Sequence, residues 1–486
     1  MDTDVGALTI VFTEFYYWIT VALMFLIHVG FTMYEVGTSR RKNLGHTLAK
    51  NLMLIPLITF GFFFFGWWAY WAFAEVPFGP FADAPWSLPW SYLMGPNFGG
   101  GGDADGEFWG HLNGVFFMAF VLFAWTTGSI CSGALIERIR LGAWLVLITI
   151  FGGFIWLVGA AMGWAPNGWM VQLMGYHDAY AGGLVHAVSG GFALGVLIVL
   201  GPRIGRFGPN GEVRDIPPHN KWMVCTGILI IMTGFFGFMA ACHAPFMPLG
   251  TEENPFFGAT TIYGTPVTLS NMTMNYIMAM SSGMMAMYFC SKGDPFWVMS
   301  GCIGGVVSCA SGMDAYHPLQ CVGLAFAGCL FAYHMHHYVQ SRFKIDDAVG
   351  AVAMHGYAGV FSVVAAGFLL WGYPAAAPTG DINPGWFGNN ADGFAIINPL
   401  GQVIGAFIFF VVFGMLPGYI GAKILQSFGV LRVPREVELA GQDTPSLETV
   451  IRTSRSRRAS SKPLSANTLK SNRHRIGKET ELCRLV

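Results

Sequence analysis

Eleven continuous apolar runs divide this chain, at 8–34, 52–74, 110–134, 141–163, 180–201, 221–242, 270–290, 295–312, 318–340, 348–372 and 397–426. A helix crosses the hydrocarbon core of a bilayer with about 20 apolar residues. Inside lipid the backbone has no water to bond, so a spanning segment must be a helix or part of a closed barrel. Barrel strands alternate apolar and polar residues, and these runs do not. The expected fold is an all-α polytopic membrane protein with eleven transmembrane helices. Composition agrees: of 486 residues, 54% are hydrophobic and 11% charged, against about 25% charged in a soluble domain. That balance excludes a soluble globular protein, a disordered chain and a secreted disulfide scaffold.

The basic residues sort by loop. Arg40, Arg41, Lys42 and Lys50 follow the first run, and Arg138 and Arg140 the third. Arg203, Arg206, Arg214 and Lys221 follow the fifth, Lys292 the seventh, and Arg342 and Lys344 the ninth. All others lie at the end of the eleventh run or beyond it, and the alternate loops 75–109, 164–179, 243–269, 313–317 and 373–396 hold none. Basic loops stay on the cytoplasmic side, so the N-terminus is expected outside and the C-terminus in the cytoplasm. The first residues carry Asp2 and Asp4 rather than a basic leader, so the first run reads as a retained helix. Residues 1–430 read as the membrane domain. Residues 431–486 read as a cytoplasmic tail, basic and expected to be disordered beyond about 450. The basic run from Ser454 to Ser460 suits anionic headgroups. Its Arg457-Arg458-Ala459-Ser460 resembles a basophilic kinase site, and a solvated tail is the plainer reading.

Ionisable side chains inside apolar runs are costly in lipid and mark functional positions. His186 lies in the fifth run and His355 in the tenth. These are the last members of two sets of five, and an odd-numbered set repeated in tandem must be inverted in the membrane. The expectation is two inverted five-helix repeats plus a final helix, with the two histidines meeting on the pseudo-two-fold axis. No carboxylate or Cys ligand set accompanies them, so neither a metal nor a cofactor is expected there. His334, His336 and His337 suit either a metal site or an interfacial polar terminus, the second being simpler. His28 reads as bonded to neighbouring backbone. The cysteines are scattered through apolar runs without a CxxC spacing and read as small packing residues. No phosphate loop, nucleophile elbow or HExxH is present, so an enzyme is not expected.

The motifs resemble those of the ammonium transporter (Amt/Mep/Rh) family. They run in order from Gly30 to Asn43 across the end of the first run, Ser132 to Arg138 across the end of the third and Trp164-Ala-Pro-Asn-Gly-Trp169 after the fourth. Asp178 to His186, Pro218-His-Asn220, Gly234 to Phe238, Asp346-Asp347 before His355, and Glu436 to Asp443 continue the series. The resemblance covers about residues 10–445 and makes 1–430 a transporter domain. It implies a homotrimeric, multi-pass protein of the cell membrane that serves nitrogen uptake, each subunit a channel-like pore for ammonium or ammonia. By that resemblance, Phe123 and Phe238 form a stacked phenylalanine gate. Trp164, with Phe123 and Cys242, forms an external cation site. His186 and His355 line the pore and relay protons, and Asp178 supports the site by capping the fifth helix. The implied partners are ammonium, ammonia or methylammonium, the lipid bilayer, and a cytoplasmic regulator at the tail; no nucleic acid is expected.

Several positions depart from the family pattern. Its Asn and Ser after the second gate phenylalanine fall on Met239 and Cys242, and His243-Ala-Pro245 follows directly. The family acid five residues before the second histidine is Gly350, and Asp314 and His317 occupy the short loop after the eighth run. A sulfur-rich mouth accepts hydrogen bonds weakly. It suits methylated amines as an alternative substrate, or a poorly conducting ammonium sensor.

Overall fold

The computed structural model describes residues 3–74, 108–244, 248–249, 256–257, 260–376 and 383–443. The expectations for the loop 75–107 and for the tail beyond 443, including its basic run, lie outside the described residues. The chain is mostly helical. The main helices are α1 (Thr3–Thr38), α2 (Arg41–Phe73), α3 (Phe108–Ala134), α4 (Leu141–Trp164), α5 (Gly182–Leu200) and α6 (Lys221–Ala241). They continue with α7 (Leu269–Ser291), α8 (Pro295–Gly312), α9 (Pro318–Phe343), α10 (Val352–Leu369) and α11 (Pro399–Ser427). Among the described residues, ten of these are long and apolar enough to cross a membrane. The remaining one is α7, whose 23 residues include Asn271, Asn275, Ser281 and Ser282. Its inward donors are satisfied: the Asn275 amide N–H groups donate to the Met313 and Tyr316 carbonyls, and the Ser282 hydroxyl to that of Val322. The only strands among the described residues are two two-residue ladders after α6, pairing His243–Ala244 with Thr260–Thr261 and Pro248–Leu249 with Phe256–Phe257.

One boundary differs from the sequence expectation. The second helix starts well before residue 52, so that Lys50 lies within it, fully buried, its ammonium donating to the Ser132 carbonyl at 2.7 Å. His28 bonds across to α3: Nδ1 is 3.2 Å from the Ser129 hydroxyl, and the ring sits edge-on to Trp125.

Small residues let the helices approach closely, as is usual where lipid offers no hydrophobic drive for association. The α1–α6 contact is the most extensive among the described residues. The α5–α10 contact is close at its centre: a Cβ on Gly190 would stand 2.2 Å from the Gly356 Cα, and one on Gly359 would stand 2.3 Å from the Gly182 carbonyl. Both helices begin with a wide π-helical turn, Gly182–Ala187 and Val352–Tyr357.

The loops gather at two ends. At one end Arg40 pairs with Glu137 at 2.6 Å, Arg203 with Asp346 at 2.8 Å, and Arg432 with Glu438 at 2.8 Å. Asp443 accepts from the Gly45 and His46 amides. The segments following α1, α3, α5, α9 and α11 therefore meet in one charged layer. At the other end the His177 imidazole lies 3.0 Å from Asp314 and 2.8 Å from the Ala375 carbonyl. There the Tyr263 hydroxyl donates to Gly163, joining the segments that follow α4, α6, α8 and α10.

Candidate functional site

The wide turns of α5 and α10 are built alike. Asp178 Oδ2 accepts from the Gly183 and Leu184 amides, both at 2.9 Å. Asp347 accepts from the Ala351 and Val352 amides, at 3.0 and 2.9 Å. A carboxylate aimed at free N–H groups stabilises a helix start through hydrogen bonds and the helix dipole. The residue five before each histidine is left-handed, with φ 63° at Ala181 and 71° at Gly350. Gly350, where the family has an acid, thus sits where glycine is the least strained residue.

These two turns carry His186 and His355 to each other. Their Nδ1 atoms are 3.0 Å apart and both rings are buried. Two imidazoles at that distance share one proton as donor and acceptor. The aromatic rings continue the column away from the charged end. Phe238 is 5.8 Å from the His186 ring centre, Phe123 is 4.6 Å from Phe238, and Trp164 is 4.7 Å from Phe123. Phe123 and Phe238 are edge-to-face, 83° apart, rather than stacked; a ring edge on a ring face is the favoured quadrupole arrangement. Phe123, Phe238 and Trp164 are each 1% exposed, so this end of the column is closed. On the other side of the pair, Phe31 lies 6.2 Å from His355.

The Trp164 indole N–H donates to the Asp178 carbonyl at 3.2 Å. The Asp178 carboxylate also takes the Ser311 hydroxyl at 2.6 Å and the Tyr176 hydroxyl at 3.1 Å. Through its carbonyl and its carboxylate Asp178 thereby ties α4, α5 and α8 together behind the histidines. Cys242 is fully buried, and its thiol donates to the Phe238 carbonyl. His243 is buried as well, its Nε2 2.8 Å from the Tyr180 hydroxyl, while Tyr17 donates to its carbonyl. Burial pushes the His243 imidazole down to about 4 despite the Asp314 charge, so it is neutral at pH 7. Burial, opposed by the Ala351 and Val352 amides, lifts Asp347 to about 6.

Several residues escaped sequence reasoning. His177, Tyr17, Tyr180 and Ser311 have no distinctive spacing, because their partners lie on distant elements. Asp347 did carry a signal: it stands eight residues before His355, the separation of Asp178 from His186. His317 is an N-cap, accepting from the Leu319 amide while its own amide donates to Gln320.

The chain matches the model of the Ammonium Transporter Family over residues 15–450. The ammonium transporter Amt1 of Methanocaldococcus jannaschii is 25% identical over 90% of this chain and 95% of its own length. Among solved structures, a Sensor Amt Protein superposes with a TM-score of 0.71 at 21% identity, covering 91% of this chain and 99% of that one. Saccharomyces cerevisiae Mep2 follows with a TM-score of 0.63 at 18% identity, over 87% and 88%. The family match spans nearly the whole chain, and the protein is a multi-pass membrane protein of the ammonium transporter (Amt/Mep/Rh) family.

Proposed function

We propose that this protein moves ammonium across the cell membrane as ammonia plus a proton, through the column from Trp164 to His355. The observation that carries this reading is the 3.0 Å His186–His355 contact in line with the Trp164, Phe123 and Phe238 rings. An intact ammonium ion faces a large desolvation cost in such an apolar path. At the mouth, Trp164 and Phe123 offer ring faces that attract a cation, and the Cys242 sulfur offers a weak acceptor. Loss of a proton yields neutral ammonia, which crosses the aromatic constriction. The histidine pair then supplies a donor and an acceptor and passes the proton between its facing nitrogens. Potassium has no proton to lose and is rejected. Asp178 holds the α5 turn, and hence His186, in register.

The same reading assigns eleven spans, with α7 among them, an outside N-terminus and a cytoplasmic C-terminus. Helix pairing supports two inverted repeats: α1 packs on α6 and α5 on α10, while α2 on α4 and α3 on α5 are mirrored by α7 on α9 and α8 on α10. Residues 1–430 form the transporter domain, and 431–486 a tail for a cytoplasmic regulator. The assembly is a homotrimer with one pore per subunit. Met239 and Cys242 favour a second reading in which methylated amines are carried, since soft, apolar groups accommodate a methyl.

Solid-supported-membrane electrophysiology on purified protein in liposomes tests both. Currents with ammonium or methylammonium and none with potassium are expected, and His355→Ala is expected to abolish the selectivity. No flux of either amine, with ammonium-induced structural change intact, would replace transport by sensing.

A further inference from the structure

A cavity lies on the charged-end side of the histidine pair, with space for about one water-sized molecule. His355 and Phe31 line one part of it, and Glu35 and Gly133 another, with Gly350 between. Glu35 is fully buried within α1. Its Oε2 accepts from the Asn51 amide at 2.9 Å and the Ser132 hydroxyl at 2.8 Å. Its Oε1 is buried and has no hydrogen-bond partner among the described residues. A Cβ added to Gly133 would stand 3.4 Å from that oxygen, so glycine leaves the space beside Oε1 open. The nearby Lys50 ammonium donates to the Ser132 carbonyl and lies over the Trp144 ring; among the described residues it makes no hydrogen bond or salt bridge to Glu35, and its charge acts on Glu35 only at longer range. A buried carboxylate oxygen without a donor is costly unless a ligand supplies one. Ammonia and ammonium are close to water in size, and both carry N–H donors.

We propose that Glu35 is a second protonatable station of the path, binding a small N–H donor at Oε1 and returning the proton to ammonia on the inward side. This rests on the transport reading above. In the step, the O–H bond of the protonated Glu35 carboxyl breaks and an N–H bond forms on ammonia. Ammonium leaves toward the charged end, and Glu35 remains as a carboxylate. The proton lost by ammonium at the outer mouth, handed on through His186 and His355, restores the carboxyl. One proton and one ammonia cross per cycle, and no other reactant is needed. Asn51 and Ser132 act as positioning residues that hold Oε2 and so aim Oε1 into the cavity.

The experiment compares wild type, Glu35→Gln and Glu35→Asp in liposomes, reading ammonium-driven current, its dependence on internal pH, and ammonium binding by Trp fluorescence. Glu35→Gln keeps an oxygen for Asn51 and Ser132 but cannot ionise. It is expected to lower the current at least about tenfold, to flatten the internal-pH dependence, and to leave outer binding within about twofold. Glu35→Asp is expected to keep the pH dependence at reduced current. Wild-type current together with unchanged Glu35→Gln current and pH dependence overturns the inference and leaves transport standing. Absence of wild-type current overturns the transport reading instead. Should Glu35→Gln not fold, infrared difference spectra of wild type with ammonium decide: a carboxyl band that changes supports the station, and no carboxyl change overturns it.

Discussion

His177 and Asp314 form a buried ion pair between the segment before α5 and the segment after α8, Nε2 to Oδ2 at 3.0 Å. The other ring nitrogen reaches the Ala375 carbonyl beyond α10. One imidazole thus fastens three segments at the Trp164 end of the aromatic column. Burial alone would lower its proton affinity, but the Asp314 carboxylate and the Ala375 carbonyl outweigh burial and hold it above its ordinary value.

The sign of the pH effect follows from linkage. A group whose folded value is raised contributes stability in full below its unfolded value, about 6.5 for His. That contribution is lost as pH rises through the higher folded value. Thermal unfolding in detergent should therefore show wild type losing stability over neutral to alkaline pH, with His177→Gln flat over the same range. A parallel loss in both proteins would remove His177 as the cause. Asp314→Asn should cost about 3–5 kcal/mol where the imidazole is charged.

At the opposite end Asp346 has the reverse behaviour. Burial would raise its carboxyl, but Arg138 and Arg203 beside it hold it well below the usual carboxylate range. Its contribution is present above the unfolded value of about 3.9 and lost as pH falls through the lower folded one. Asp346→Asn leaves the buried Arg138 and Arg203 guanidiniums short of a counter-charge. The expected loss is about 3–5 kcal/mol, readable as a lowered midpoint of thermal unfolding. A midpoint within error of wild type would mean that Glu137 alone balances both arginines.

The glycines between α5 and α10 set the histidine spacing. Gly190→Ala places a methyl 2.2 Å from the Gly356 Cα, against backbone that has no side chain to move aside. The helices must separate, and the 3.0 Å His186–His355 contact lengthens with them. A misplacement of about 1 Å between groups that exchange a proton costs on the order of a hundredfold in rate. Ammonium flux is expected to fall by that order, while Gly142→Ala, which meets nothing within 4 Å, leaves flux unchanged. Equal flux in both variants would separate the histidine distance from transport.

Hydropathy made most of the helices legible, because lipid turns apolar length directly into a span. It marked the α7 run at 270–290 even though Asn275 and Ser282 bond out of it, to the loop after α8 and to α9. It also began α2 too late, because Lys50 reads as a loop residue until the Ser132 carbonyl is seen to receive it. The resemblance named His186, His355, Phe123, Phe238 and Trp164 from ordered motifs, and these residues do lie in one column. What stayed hidden were pairs such as His177 with Asp314, or Glu35 beside His355 across a cavity. Each member looks ordinary in its own segment, and only tertiary packing brings the two together.

Cys242 allows the mouth to be tested by a single atom. It stands one turn beyond Phe238 and donates its thiol proton to the Phe238 carbonyl at 3.3 Å. Serine at this position can make the same bond while presenting oxygen lone pairs in place of sulfur. An N–H to oxygen bond is worth about 1 kcal/mol net, or roughly fivefold in binding. Cys242→Ser is therefore expected to tighten ammonium binding by about fivefold and to tighten methylammonium binding less. The measurement is competition between the two amines for uptake into liposomes. An unchanged preference would mean that the cation does not touch position 242, and selectivity at the mouth would rest on Trp164 and Phe123 alone.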